Sequence, residues 1–290
     1  MKKPVNIALF GFGRIGRNIF RLGYDNPNYK FVAVSDFGSA EALHYLLSRD
    51  SVHGSMKEDV KLEKNHLVVK DQFVRVIQGG RPGNIPWDAF DVDVVIDATG
   101  QSLSRSDLEL HLKSGAKRVF TTKNPRNKID RYVIPGINEE TIKVSDKVIS
   151  TTSSTTQVLA LMIKMLDETF GLERAMMTTV HAYTADQPLA DAAGIDLRRS
   201  RSAAENIIPN TSTAPEIVEK IMPQFSGKLD GIAFNVPVPN GSCVDLTTQL
   251  KTMPSINDAN DAIKKYSENS LKGIVGYTND PIVSSDVSGR

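Results

Sequence analysis

Two stretches of this sequence have residue types and spacing suited to chemistry. Gly11-Phe12-Gly13-Arg14-Ile15-Gly16 follows an apolar run and precedes a helical pattern. In such a turn the first glycine allows the tight bend. The second lets backbone approach a pyrophosphate, and the third lets helix pack on strand. The helix N-terminus then offers N–H groups and the positive end of its dipole to phosphate oxygens. Asp36 ends the next apolar run, 20 residues after Gly16, where a carboxylate accepts from an adenosine ribose 2′-hydroxyl and repels a 2′-phosphate. The pattern therefore predicts NAD rather than NADP. The plainer reading is a tight strand-to-helix turn with a solvated aspartate. The second stretch is Ser150-Thr151-Thr152-Ser153-Ser154-Thr155-Thr156-Gln157, just before an amphipathic run. Alone it reads as a helix N-cap, with Ser153 or Ser154 capping.

The elements that position these residues come in two styles. Strands are expected over 5–10, 31–36, 92–97 and 118–122, with a hairpin of 66–69 and 73–77. Helical patterns fall over 17–24, 40–48 and 107–114. Short apolar runs separated by helices predict a mostly parallel, doubly wound sheet covered on both faces, a Rossmann-type α/β fold. Beyond residue 150 the pattern changes. A strong helix is expected over 154–170, then longer alternating strands over 175–182, 231–237 and 243–250, and a helix over 254–267. That predicts an α+β domain with a mixed or antiparallel sheet and helices on one face. The expected division is 1–150 for the cofactor domain and 151–290 for the substrate domain.

Composition bounds the partners. Lys+Arg number 35 against Asp+Glu 34 for a net charge of +1, which gives no electrostatic case for nucleic acid or an anionic membrane. No run of about 18 apolar residues is present, so no membrane span is expected. The N-terminus moves straight into a strand pattern, unlike a signal peptide, and a cytoplasmic setting is the expectation. Cys243 is the single cysteine, so no cysteine cluster can hold a metal and no intrachain disulfide can form.

Further motifs carry a resemblance. Gly11–Arg17 is followed by Asp50-Ser51-Val52-His53-Gly54, Ala98-Thr99-Gly100, Thr178-Thr179-Val180-His181-Ala182-Tyr183-Thr184, Asp196-Leu197-Arg198-Arg199-Ser200-Arg201, Asn206-Ile207-Ile208-Pro209 and Val236-Pro237-Val238-Pro239-Asn240. In this order the set resembles the phosphorylating, NAD-dependent glyceraldehyde-3-phosphate dehydrogenase family over the whole chain. The resemblance implies oxidative phosphorylation of glyceraldehyde 3-phosphate with NAD and inorganic phosphate, in a homotetramer whose loop from Tyr183 to Asn206 reaches a neighbouring subunit's cofactor. By resemblance, Thr99, Gly100 and Thr122 join the glycine turn and Asp36 around the cofactor. His181 is the acid–base residue. Ser153, Thr155, Thr184, Arg199, Ser212, Thr213 and Asn235 hold the two phosphates. For Arg198, Arg199 and Arg201 the plainer reading is a solvated or intersubunit basic run.

Departures from the family pattern shape the expectation. Ser154 stands where the family has its nucleophilic cysteine, and Gln157 where an asparagine is usual. A thiolate at a helix N-terminus beside a histidine is stabilised by both, whereas an alkoxide is far harder to form. Strongly impaired turnover is expected, whether the serine was introduced to trap a complex or belongs to a natural, impaired relative. The alternatives are a non-catalytic NAD-binding relative with a regulatory or scaffolding role, or a dehydrogenase of another phosphorylated aldehyde. Asn235 stands where an arginine often reaches both phosphates, and Ser212-Thr213 where Thr-Gly is usual, so weakened phosphate binding is expected. Phe10 replaces a common asparagine. The family continues for some tens of residues past Arg290, with a strand, an asparagine at the nicotinamide carboxamide and a helix.

Overall fold

The computed structural model describes residues 3–289. The chain forms two compact units, residues 1–133 with 141–152, and residues 134–140 with 153–290.

The first unit begins with β1 (Val5–Phe10), α1 (Arg14–Gly23), β2 (Tyr29–Asp36) and α2 (Ala40–Ser48). A small ladder of β3 (Arg49–Asp50) with β4 (Gly54–Ser55) follows, then β5 (Lys61–Glu63), β6 (His66–Val69) and β7 (Gln72–Gln78). It continues with β8 (Val94–Asp97), α3 (Arg105–Lys113), β9 (Arg118–Thr121), β10 (Arg131–Tyr132) and β11 (Val148–Ser150). Nine strands make one sheet in the order β10-β11-β9-β8-β1-β2-β7-β6-β5. All pairings from β10 to β7 are parallel, while β6 and β5 extend it antiparallel. β1 explains the double winding. Its side chains alternate, so Ile7 and Leu9 join a core with Phe20, Phe31, Leu43 and Leu47, while Ala8 and Phe10 join Trp87, Val95, Leu108 and Val119 on the other face. A strand buried on both faces needs a continuous apolar run, which Val5–Phe10 supplies around Asn6. The expected 66–77 hairpin is present, and β7 also pairs parallel with β2.

The second unit contains α4 (Ser154–Phe170), β12 (Leu172–Ala182), β13 (Ile208–Thr211), α5 (Ala214–Ile221), β14 (Leu229–Val236), β15 (Cys243–Leu250) and α6 (Ile256–Glu268). Its sheet order is β13-β14-β12-β15, with β12–β14 parallel and the outer pairs antiparallel, a mixed sheet. One face is covered: Leu159, Ala160 and Ile163 of α4 and Ala214 and Val218 of α5 share a core with Ala175 and Met177 of β12. α6 joins through Ile263 and Tyr266 against Leu161 and Met165. Residues 134–140 belong here physically, since Ile134 enters that core and the Gly136 carbonyl accepts from Lys164 Nζ at 2.8 Å. Among the described residues no helix is long and apolar enough to cross a membrane.

Candidate functional site

In the first unit, β2 lies on one side of β1 and β8 on the other, so the carboxyl ends of β1 and β8 flank a topological switch point. The glycine turn sits there. Gly11 has φ +91°, and a Cβ on it would stand 2.7 Å from the Thr99 backbone N. A Cβ on Gly16 would stand 2.2 Å from the Gly11 carbonyl oxygen. These two glycines thus let the turn close against the β8 end and against its own helix, bringing Gly11 and Thr99 together. Gly13 differs, because its Cβ position meets nothing within 4 Å. It is also the N-cap of α1, and no side chain caps that helix. By contrast α2, α3, α4 and α6 are each capped by a serine, Ser39, Ser104, Ser153 and Ser255. Open space over an uncapped N-terminus fits the pyrophosphate of a dinucleotide. Arg14 opens α1, and Ile15 is exposed.

Asp36 reaches back to this turn. Its Oδ2 accepts from the Phe12 N–H at 2.7 Å and its Oδ1 from the Gly38 N–H at 3.0 Å. A carboxylate has about four lone-pair directions, so acceptor capacity remains for a ribose hydroxyl. The expected result is NAD bound at least about tenfold more tightly than NADP, from like-charge repulsion at Asp36. Titration of both at matched ionic strength checks it, and equal or tighter NADP binding would disprove it.

The end of β8 holds an acid that the sequence reading passed over as a strand terminus. Asp97 is 1% exposed. Its Oδ1 accepts from the Thr99 N–H at 3.0 Å and the Thr99 hydroxyl at 2.7 Å, and its main-chain oxygen accepts from the Thr122 N–H and hydroxyl, both at 3.1 Å. Asp97 therefore ties together two expected cofactor residues, Thr99 and Thr122, with Gly100 (φ +74°) completing the turn. Its Oδ2 is buried without a hydrogen-bond partner among the described residues. Burial pushes its pKa up to about 6 against the opposing bonds from Thr99. The 50–53 segment contributes as well. Arg17 Nη2 donates to Asp50 at 3.1 Å and its Nη1 to the Phe12 carbonyl at 3.3 Å, while Asp50, accepting from His53, Val52 and Arg17 despite some burial, is held down at about 2.

In the second unit, Ser153 is the N-cap of α4. Its hydroxyl accepts from the Thr156 N–H at 3.2 Å and lies 2.7 Å from the Thr156 hydroxyl. Ser154 is the first helical residue and exposed, and Thr155 is buried. Gly171, with φ +69°, alone joins α4 to β12, so the two run antiparallel. The helix from 154 to 170 spans roughly 24 Å and the strand from 172 to 181 roughly 30 Å, which returns Ser154 toward the His181 end. His181 Nδ1 is 2.7 Å from the Ala182 carbonyl, an acceptor only. Nδ1 therefore carries the proton, and Nε2 is the basic nitrogen.

The expected phosphate residues fall into groups. Ser153 and Thr155 lie on the first turn of α4. Ser212 accepts from the Ala214 N–H at 3.2 Å, and Thr213 is the N-cap of α5. Thr213 has φ −89°, open to any residue, so no glycine is needed there. Asn235 on β14 is the sheet neighbour of His181, and its Oδ1 accepts from Asn210 at 3.0 Å. Thr184 and Arg199 are brought together by a residue the sequence reading missed: Asp186 accepts from both. Cys243 pairs with Val180, one position from His181, but both are exposed while His181 follows the alternation of Ala175, Met177 and Thr179 onto the helix-covered face.

Comparison with known proteins gives matches to both parts of the chain. The family profile described as "Glyceraldehyde 3-phosphate dehydrogenase, NAD binding domain" matches residues 5–105, and that described as "Glyceraldehyde 3-phosphate dehydrogenase, C-terminal domain" matches residues 153–290. The chain is 42% identical over 287 residues to "Glyceraldehyde-3-phosphate dehydrogenase 1" of Bacillus subtilis, covering 99% of this chain and 85% of that protein. It is 42% identical over 288 residues to "Glyceraldehyde-3-phosphate dehydrogenase" of Geobacillus stearothermophilus, covering 98% and 85%. The cytosolic enzyme of Leishmania mexicana is 41% identical over 286 residues, covering 98% and 86%.

Proposed function

The chain belongs to the glyceraldehyde 3-phosphate dehydrogenase family, and we propose from that premise that it is built for NAD-dependent oxidative phosphorylation of glyceraldehyde 3-phosphate, strongly slowed by Ser154. The observation that carries this reading is that Ser154 is the first residue of α4, while His181, near the end of the strand that runs back along α4, has Nε2 as its basic nitrogen.

In this reading the Ser154 Oγ attacks the aldehyde carbon and its proton passes to His181 Nε2. The same proton returns from His181 to the former carbonyl oxygen, giving a neutral hemiacetal, and the N-terminus of α4 favours the negative charge that builds on that oxygen meanwhile. Bound NAD supplies the acceptor for the hydride that leaves this carbon. His181, neutral again, takes the hemiacetal hydroxyl proton in that step, the aldehyde is oxidised to an ester of Ser154, and inorganic phosphate attacks the ester, His181 returning the proton to the departing Ser154 oxygen as the acyl phosphate is released. Gly11 to Gly16, Asp36, Thr99, Gly100 and Thr122 hold and orient the dinucleotide. Ser153, Thr155, Thr184, Arg199, Ser212, Thr213 and Asn235 hold the phosphates.

The slow step follows from the nucleophile. A serine hydroxyl stays protonated at neutral pH, and the helix dipole is too weak to ionise it. That same fact favours a second reading, a non-catalytic NAD-binding protein. A homotetramer is part of the proposal, supported by the exposed Leu189, Ile195 and Leu197 in the 183–206 loop. The test is a paired measurement on the protein as it stands. Calorimetry should show NAD binding, while turnover with glyceraldehyde 3-phosphate and phosphate should be barely above background. Absent NAD binding, or vigorous turnover, refutes the reading.

A further inference from the structure

The segment following β12 folds back so that Thr184, Asp186 and Arg199 meet. The Thr184 hydroxyl donates to Asp186 Oδ1, and Arg199 Nη2 donates to Asp186 Oδ2. Each carboxylate oxygen thus takes a donor, as two oxygens of a phosphate would. Asp196 holds the far side of this turn, accepting from the Arg199 N–H at 3.2 Å. Gln187 lies beside the pair and is 9% exposed. Its Oε1 accepts from the Thr184 N–H at 3.1 Å, while its Nε2 is buried without a hydrogen-bond partner among the described residues. Gln187, Asp186, Gly194, Arg199 and Ser200 line a cavity of ≈ 390 Å³. A buried amide donor with nothing to donate to is costly, and Gln187 and the cation Arg199 line the same cavity.

We propose that Asp186 is an internal anion occupying a ligand's phosphate seat, and that a phosphate group enters the seat of Thr184 and Arg199 by displacing it, with Gln187 Nε2 as a further donor. This rests on the assignment of Thr184 and Arg199 to phosphate made above. The physical basis is that the displaced pair is weak. The side chains of Arg199 and Asp186 are 36% and 60% exposed, and such pairs are heavily screened. Displacement is therefore accessible, yet a carboxylate left nearby still repels a dianion. Asp186 sets how strongly this site discriminates against phosphate.

The test uses the full chain and inorganic phosphate as the probe, followed by calorimetry at fixed pH and ionic strength. Asp186→Asn should bind phosphate about tenfold more tightly than the unaltered protein, by freeing Arg199 and removing the like charge. Adding Arg199→Gln should abolish that gain. Asp186→Ala provides the same comparison if the asparagine variant folds poorly. In the unaltered protein, the Asp186 carboxylate carbon and the Arg199 side-chain nitrogens should shift together, with one midpoint, as phosphate is added in ¹³C and ¹⁵N spectra. Variants that fold and bind phosphate no more tightly, a gain that survives Arg199→Gln, or a shift at Arg199 alone would each overturn the proposal. No turnover is read, so inactivity of Ser154 leaves these outcomes unaffected.

Discussion

Ser154→Cys should raise turnover by about three orders of magnitude or more, because a thiol near pKa 8.5 is brought into the physiological range by a helix N-terminus and a neighbouring base, and a hydroxyl is not. Two supporting parts are in place. Ser153 caps the helix through Thr156, so residue 154 is free to present its side chain at the first turn. His181 is fixed as the Nδ1–H tautomer by the Ala182 carbonyl. The new thiol should be alkylated quickly at neutral pH, and adding His181→Asn should slow both alkylation and oxidation. Cys243 is the internal control. It is exposed but lies on the opposite face of the sheet from His181, so its alkylation rate should be that of an ordinary thiol and insensitive to His181→Asn. A Ser154→Cys protein that folds, binds NAD and stays inactive with every phosphorylated aldehyde tried would establish the non-catalytic reading instead.

The second large effect concerns stability against pH. The unaltered protein should show a nearly flat contribution from two buried groups between pH 4 and 6, because their slopes oppose. Asp97 is raised from 3.8 to about 6 by burial, so the folded state holds its proton more tightly. Its stabilising contribution is complete below 3.8 and is lost as pH rises through 6. His111, fully buried on α3, accepts from Trp87 Nε1 at 3.0 Å and packs edge-on against Phe10 at 4.7 Å. Burial lowers its pKa from 6.5 to about 4, so its contribution is complete above 6.5 and is lost as pH falls through 4. Each shift corresponds to about 3 kcal/mol. Asp97→Asn should expose the histidine slope, with stability rising by about 3 kcal/mol from pH 4 to 6.5. His111→Gln should expose the opposite slope, falling by about the same amount from pH 4 to 6. Urea unfolding at closely spaced pH values measures both. Parallel curves for the three proteins would contradict the assignment.

Legibility in the sequence followed local pattern strength. α4 carries Ser/Thr at its start and glycine at its end, so the expected helix over 154–170 and the observed Ser154–Phe170 coincide. β15 alternates cleanly and likewise coincides with the expected 243–250 strand. α1 begins at Arg14 rather than at residue 17, because Gly13 is already its cap and the whole of Arg14–Gly16 is helical. β13 and α5 were not read. Four residues are too few to show a period, though Pro215 at the second helical position was a usable start signal for α5. At the site, motif residues were visible because glycine turns and serine caps have local signatures. Asp97 and Asp186 were not, because their significance comes from what the fold brings to them: Thr99 and Thr122 in one case, and Arg199, thirteen positions along the chain, in the other.

The pairing of β12 imposes an order on biosynthesis. The first unit is complete in sequence by residue 152, apart from the 134–140 excursion. β12 ends at Ala182, yet its two sheet neighbours are β14 and β15, which begin at Leu229 and Cys243. At roughly 5–20 residues per second of synthesis, the strand bearing His181 waits several seconds with both edges unpaired. Throughout that interval the nascent chain carries a finished glycine turn and an unfinished histidine strand. Its Val180 and Met176 side chains then stand beside main-chain donors and acceptors open to any other strand, and this is the stage at which the chain most needs protection from mispairing.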